Sequence, residues 1–366
     1  MSGNLALDAE IARLTDLFQQ AGGQLVDLPV LQPAETLLDL YGEDIRARAY
    51  VTHDPLAGEM MLRPDFTVPV VQMHMQGGPS PARYAYAGKV FRIQELDSDR
   101  PPEYDQVGFE LFDGADPAAA DAEVFALFSA AMAHMNLRAV IGDIGILLAA
   151  VRGLSTPDFR KGALLRHVWR PRRFRALVDR YSGRAAKPAG RAELLKAFSE
   201  GRDVLAKAGP LIGLRSQDEI EARLKVLVAD AAEPPLSAAE TDLLDQIVTL
   251  RESAPMALER LRDIAVDMPA IAPAVAKVEA RLDAMAQRGV DVEALEFEGG
   301  YGRTSMEYYD GFVFGLSSMA RPDLPPVATG GRYDALTRAL GGGAAIPAVG
   351  GVVRPSLALQ LAEAGQ

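Results

Sequence analysis

Leu7, Ile11, Leu14 and Phe18 recur at intervals that keep one helical face apolar, so the spacing predicts an amphipathic helix closed by Gly22 and Gly23. A short apolar run follows from Leu25 to Val30. Pro29 inside it cannot donate to a ladder, which predicts a strand at an edge or an interface. Residues 59–63 and 84–93 predict further strands, and Val107 to Phe112, where apolar positions alternate with glycine and glutamate, predicts another. The first 112 residues therefore predict a helix and then mostly antiparallel sheet. Asp116 and Pro117 pair as N-cap and first turn of a helix whose Val124, Phe128, Ala131 and Met135 share one face. Arg138 to Asp143 predicts a strand and Gly145 to Val151 a short helix.

From about Ser155 to Arg288 the texture changes to Ala, Leu, Arg, Glu and Asp at helical spacings, punctuated by Ser182–Gly183, Gly209–Pro210 and Pro234–Pro235. This predicts a helical insertion. Strand vocabulary returns at Leu295 to Glu298 and Tyr308 to Leu316, and the chain closes on a helix at Pro355 to Ala364. The expected fold class is α/β of the α+β type, a mixed, mostly antiparallel sheet flanked by helices. Residues 1–152 and 290–366 form the expected core, with 153–289 inserted.

The length, 366 residues, suits two compact units or one large domain carrying an insertion. With 49% hydrophobic and 24% charged residues the whole chain is expected to fold. A net charge of −12 repels phosphate backbones and disfavours nucleic acid as a partner. Cysteine is absent, which excludes disulfides, thiolate catalysis and Cys-based zinc sites. Neither a signal-like start nor an apolar stretch of ~20 residues occurs, so a cytoplasmic, non-membrane protein is expected. His53, His74, His134 and His167 show no metal spacing, and no metal or cofactor is expected.

Three features bear on chemistry. The glycine cluster Glu298 to Gly302 lies between strand candidates and reads as turn chemistry before phosphate binding. Arg166, Arg170, Arg172, Arg173 and Arg175, interleaved with Trp169 and Phe174, form the one basic aromatic-laced patch, better explained by solvent or an acidic protein partner than by RNA. The third is a set of polar residues within apolar strand segments: Arg63, Asp65, Thr67, Arg92, Gln106 and Glu110. Gln106 and Glu110 are evenly spaced along one strand, so their side chains leave the same sheet face. Carboxylates and an amide converging with arginine suit an amino acid zwitterion, and an internal ion-pair network accounts for them equally well.

The same residues carry a resemblance to histidyl-tRNA synthetases and their non-charging relatives, spanning residues 5–150 and 290–364. Leu25 to Pro29 resembles the dimer-forming first motif of class II synthetases. Met61 to Thr67 (MLRPDFT) resembles the family's LRPEGT segment. Val90 to Arg92 through Gln106 to Glu110 resembles the second motif. Tyr308–Tyr309 with Val313–Phe314, and Gly330 to Asp334 (GGRYD), resemble the two histidine-specific motifs. The resemblance implies a class II core and a histidine pocket formed by Asp65, Thr67, Gln106, Glu110, Tyr309 and Tyr333, with Arg92 beside it. Asp65 stands where the family has Glu, one methylene longer.

The activating machinery departs from that pattern. The arginine four residues before the Tyr pair falls on Thr304, with Arg303 one position off, and the arginine of the third motif falls on Leu357. Arg92 and Arg100 match phosphate-binding arginines of the second motif, but Pro101 and Pro102 distort its loop. Losing one electrostatic donor in such chemistry costs roughly 10²- to 10³-fold in rate. No catalytic residue is therefore expected. The chain ends at Gln366 with no anticodon-binding domain expected, and tRNA is not an expected partner. Together these features resemble the regulatory subunits of ATP phosphoribosyltransferase. That resemblance implies a homodimer within a hetero-oligomer with a short-form catalytic subunit, and L-histidine as feedback effector. The alternatives are a divergent amino-acid-activating synthetase relative and a purely architectural subunit.

Overall fold

The computed structural model describes residues 2–41, 48–94, 100–206, 212–213, 215–304 and 308–363. Residues 95–99 of the second motif and Gly209–Pro210 lie outside them. Twelve strands and fourteen α-helices occur among the described residues. In chain order they begin with α1 (Ser2–Gln20), β1 (Gln24–Leu25), β2 (Leu31–Pro33), α2 (Ala34–Tyr41), β3 (Val51–Asp54), β4 (Gly58–Leu62) and α3 (Thr67–Met75). Next come β5 (Ala82–Phe91), β6 (Glu103–Phe112), α4 (Pro117–Ala131), β7 (Leu137–Asp143) and α5 (Ile144–Gly153). The Ala- and Leu-rich stretch gives α6 (Asp158–Leu165), α7 (Pro171–Tyr181), α8 (Arg191–Ser199), α9 (Gln217–Ala232), α10 (Ala238–Thr249), β8 (Arg251–Ser253), α11 (Ala254–Asp267) and α12 (Ala272–Gln287). The chain ends through β9 (Glu296–Glu298), β10 (Phe312–Ser318), β11 (Ala328–Arg332), α13 (Asp334–Leu340), β12 (Ala348–Val353) and α14 (Pro355–Glu363).

Nine strands form one sheet in the order β1-β5-β6-β12-β11-β10-β7-β9-β8, and β2-β4-β3 form a small second sheet. Only β1 with β5 and β7 with β9 pair in parallel, so the mostly antiparallel expectation holds. The two faces of the large sheet differ in chemistry. On one, Phe109 and Phe128 pack on Phe18, and Phe125 packs on Phe312 and Phe314, joining α1 and α4 to the sheet in an aromatic core. The other face carries the alternate residues of β6, Tyr104, Gln106 and Glu110.

Several local expectations need correction. The run Leu25–Val30 does not form one strand: β1 stops at Leu25 after pairing with Ala85, and β2 begins at Leu31. Val26 donates one more bond to Ala85, and the ladder ends there, three residues before Pro29. Thr67 is not on a strand but opens α3, where Pro69 sits in the first turn, a position whose N–H is not needed. Tyr308 and Tyr309 precede β10 in a loop. Within the predicted helical stretch, β8 pairs with β9 and so extends the large sheet, and α12 packs on α4.

Asp116 caps α4 as predicted, its Oδ1 accepting from the Ala119 N–H at 3.0 Å. The glycines at 299 and 300 behave as close-packed turn residues: a Cβ on Gly299 would lie 1.9 Å from the Ile247 carbonyl oxygen. A buried ionic cluster ties the layers together. Arg281 of α12 donates to Asp121 of α4 and Asp143 of β7, both at 2.8 Å. Arg332 donates to Asp121 at 2.7 Å and to Asp334 at 3.0 Å.

Candidate functional site

The site is organised around Glu110, whose side chain is wholly enclosed. Its Oε1 accepts from Thr67 Oγ1 at 2.8 Å and from the Tyr86 hydroxyl at 3.0 Å, and its Oε2 accepts from the Tyr333 hydroxyl at 2.5 Å. A carboxylate offers about four acceptor positions, so one on Oε2 remains. Burial pushes the Glu110 carboxyl up to about 7. The three hydroxyl donors oppose that shift, and the nearby Asp65 adds to it. Burial, followed by proximity to Glu110, raises Tyr86 and Tyr333 well above the ordinary phenol value, so both remain donors.

Room for this arrangement comes from glycine in neighbouring strands. Gly350 of β12 faces Glu110 across the ladder, and a Cβ there would lie 1.6 Å from Glu110 Oε2. Gly108 lies under the Tyr86 ring, where a Cβ would come within 2.3 Å. Tyr86 is fixed from above by Phe66, stacked at 4.4 Å, which in turn lies under the Arg63 guanidinium. Arg63 itself is not a pocket residue. Its Nε donates to the Lys89 carbonyl at 2.9 Å and its Nη1 to the Leu28 carbonyl, making it a structural tie between β4 and β5.

The opposite end of the cavity is less saturated. Gln106 is almost fully enclosed, at 1% exposure, and its Oε1 has no hydrogen-bond partner. Such an orphaned buried acceptor costs about 1–3 kcal/mol unless something occupies it. Asp65 is equally enclosed and accepts weakly from the Val68 N–H at 3.4 Å. Arg92 is held by donation from its Nε to the Pro64 carbonyl at 2.8 Å. Arg354, one residue past β12, donates to the Pro326 carbonyl at 2.6 Å and lies close to Tyr104. Burial lowers its pKa, and Tyr104, Arg92 and Tyr309 act on it electrostatically.

Tyr309 enters from the loop before β10. Its hydroxyl is buried, and burial, then Glu110 and Asp65, raises its pKa. The loop is anchored on both sides. Asp310 caps α13, accepting from the Asp334 and Ala335 N–H groups at 3.0 and 2.8 Å, and burial beside Asp334 pushes it up to about 6. Trp169 Nε1 donates to the Tyr309 carbonyl at 3.0 Å. Arg303, the arginine one position off the family pattern, donates its Nε to the Val168 carbonyl at 2.7 Å and lies over the Phe174 ring. It binds the arginine-rich segment to this loop. Thr304 is exposed.

The structure thus bonds Thr67 and Tyr333 to Glu110, keeps Gln106 on the same strand face, brings Asp65 and Tyr309 close enough to act on Glu110 electrostatically, and sets Arg92 near Arg354. A family model described as histidyl-tRNA synthetase matches residues 6–234 and 218–356. The ATP phosphoribosyltransferase regulatory subunit of Brucella ovis is 32% identical over 346 residues, covering 89% of this chain and 90% of that protein. The chain belongs to the histidyl-tRNA synthetase-like ATP phosphoribosyltransferase regulatory subunits. The Brucella abortus member is likewise 32% identical over 346 residues, covering 89% of each chain. A solved structure from Bacillus halodurans, described as an ATP phosphoribosyltransferase regulatory subunit/histidyl-tRNA synthetase, superposes with a TM-score of 0.69 at 21% identity, covering 98% of this chain and 79% of its own. Histidyl-tRNA synthetase from Nostoc superposes with a TM-score of 0.64 at 16% identity, covering 99% of this chain and 72% of its own. These two show the shared fold.

Within this family member, sequence reasoning missed Tyr86, Trp169 and Arg354. Tyr86 alternates correctly on its strand, and its pairing opposite Gly108 was a usable signal. Trp169 stood out only as part of the arginine-rich patch, and both it and Arg354 meet the site through long-range folding.

Proposed function

We propose that this chain is the non-catalytic regulatory subunit that joins a short-form ATP phosphoribosyltransferase catalytic subunit in the first step of L-histidine biosynthesis, and that it binds L-histidine as feedback effector. The observation that carries this reading is the enclosed Glu110 carboxylate with an acceptor position to spare, beside the orphaned Gln106 Oε1 and the Asp65 carboxylate. An imidazole N–H suits Glu110, and an ammonium suits Asp65, Thr67 and Gln106. A buried cluster with acceptors in excess, its Tyr86 and Tyr333 hydroxyls already donated to Glu110, favours a compact cationic or zwitterionic ligand. The insertion in this reading is residues 153–289, of which β8 and α12 return to pack on the core.

The activating-enzyme alternative is disfavoured because Leu357 cannot neutralise a triphosphate and because Arg303 gives its Nε to the Val168 carbonyl and lies over Phe174, leaving Nη2 buried without a partner. ATP–pyrophosphate exchange with histidine should be absent. A homodimer is supported by the exposed apolar side chains Leu25, Val30, Leu31, Tyr50 and Val51 around β1 to β3, and light scattering at micromolar concentration should report a dimer or larger.

The deciding experiment has two arms. L-histidine at about 100 times its dissociation constant should stabilise the chain by roughly 2.7 kcal/mol, seen as a thermal shift. The complex reconstituted with a short-form catalytic subunit should lose histidine inhibition when Glu110→Ala is introduced, while remaining assembled and active. Unchanged inhibition in that variant would move the sensor elsewhere.

A further inference from the structure

We infer that Arg354 is a specificity-determining residue of the Glu110 cavity, supplying the cation that grips a free carboxylate on the bound amino acid. The inference rests on the functional reading above and names the residue that reading lacks. The resemblance leaves the cavity without the arginine that precedes the Tyr pair, since Thr304 stands there and Arg303 is turned into the arginine-rich segment. Its third-motif arginine position is taken by Leu357. An amino acid ligand would then keep partners for its ammonium and ring but have only Arg92 near its carboxylate.

Arg354 lies where that gap opens. β12 pairs with β6 in the register Gly350 to Glu110, Val352 to Gly108 and Val353 to Val107. The next position, Arg354, therefore comes alongside Gln106, on the face that carries Glu110. Its backbone N–H is held by the Val327 carbonyl, and one nitrogen of its fork, Nη1, by the Pro326 carbonyl at 2.6 Å. A further contact to Tyr104 places the guanidinium beside a residue two positions from Gln106 on the same strand and face. Arg354 is half-buried, and Tyr104, Tyr309 and the like-charged Arg92 are close enough to act on it electrostatically. Two guanidinium groups near one another beside a cavity wall call for an anion, and the planar fork of arginine matches a carboxylate. The orphaned Gln106 Oε1 accepts, so it suits the ligand's ammonium, and the ligand's carboxylate, one carbon away, falls toward Arg354.

The test uses the full chain and two ligands that differ only at this group, L-histidine and L-histidinol, in which a hydroxymethyl replaces the carboxylate. Calorimetric titration of the unmodified chain should give L-histidinol an affinity at least about tenfold weaker than L-histidine. Arg354→Ala should weaken L-histidine by a similar factor and leave L-histidinol unchanged, so that the variant no longer discriminates. Arg354→Lys should restore part of the preference. Thermal unfolding without ligand reports whether each variant is folded, and the two-ligand comparison on the unmodified chain stands apart from any variant. If the unmodified chain binds both ligands equally, or if Arg354→Ala weakens both to the same extent, the assignment to Arg354 is overturned while the histidine pocket survives. If the unmodified chain binds neither ligand, both the pocket reading and the assignment fall.

Discussion

Two enclosed polar clusters occupy the same sheet, and they differ in saturation. In the first, Arg281 and Arg332 are interleaved with Asp121, Asp143 and Asp334, and none of these side chains has a buried polar atom without a partner. In the second, around Glu110, the hydroxyls of Thr67, Tyr86 and Tyr333 are satisfied, yet Gln106 Oε1 is orphaned and burial holds the carboxyl near neutrality. Both clusters would look alike in a sequence, as charged residues in apolar surroundings. The closed cluster fastens α4, α12, β7 and β11 to one another. The open one retains hydrogen-bonding capacity that folding did not use, which is what a receptor site requires.

The comparison is broken most severely from the closed side. Arg281→Ala leaves Asp121 and Asp143 buried with a partner missing, and chemical denaturation should show a loss of about 3–5 kcal/mol. Folded variant should keep its histidine affinity; a parallel loss of ligand binding at temperatures where it remains folded would merge the two clusters into one functional unit.

Next in size is a pH effect from the open side. The folded carboxyl of Glu110 titrates near about 7 against an ordinary value of 4.5, so the fold holds its proton more tightly than the unfolded chain does. This contribution to stability is complete below about 4.5 and is lost as pH rises through about 7, up to about 3 kcal/mol in all at roughly 1.4 kcal/mol per unit. Ligand-free denaturation midpoints compared between wild type and Glu110→Gln across that window should diverge with this sign, and parallel curves would remove Glu110 as the titrating group.

Gly350→Ala tests the space rather than the charge. The added methyl meets Glu110 Oε2 at 1.6 Å and the Phe109 carbonyl oxygen at 2.6 Å, so a destabilisation of roughly 1–3 kcal/mol should accompany loss of histidine binding. The smallest expected effect is that of Trp169→Phe, which keeps an aromatic ring but deletes the N–H bonded to the Tyr309 carbonyl. About 1 kcal/mol of stability should go, with a modest weakening of histidine binding as the Tyr309 loop loosens. Weakened binding with no loss of stability would assign Trp169 to the ligand rather than the loop.

Much of this architecture was legible because local rules and tertiary packing agreed. Asp116 and Pro117 opened a helix where the cap predicted, and Gln106 and Glu110 shared a face because the period of a strand is two. The errors fell where the local signal was contradicted nearby. Leu25 to Val30 has strand composition, but its ladder with β5 ends after Val26 and the chain pairs again only from Leu31 in the second sheet. Thr67 follows an apolar strand and precedes Pro69, and the proline's fixed φ favours a helix start over a continued strand. Arg63 had the right residue type and the right neighbours for a pocket, but its donors were taken by backbone carbonyls.

By itself, then, the sequence determined the helices with periodic apolar faces, the alternation that put Gln106 and Glu110 on one side of β6, and the motif set that marks the family. Tertiary structure alone decided which polar groups were consumed and which were left over. Arg303 and Thr304 differ by one position along the chain, yet that single step leaves the guanidinium on the Val168 carbonyl and the Phe174 ring. Arg354 reaches the cavity from a part of the chain more than two hundred residues from Gln106 because β12 pairs beside β6. The physical reason is that hydrogen bonds of buried groups are fixed by three-dimensional geometry at about 3 Å, a scale on which sequence separation carries no information.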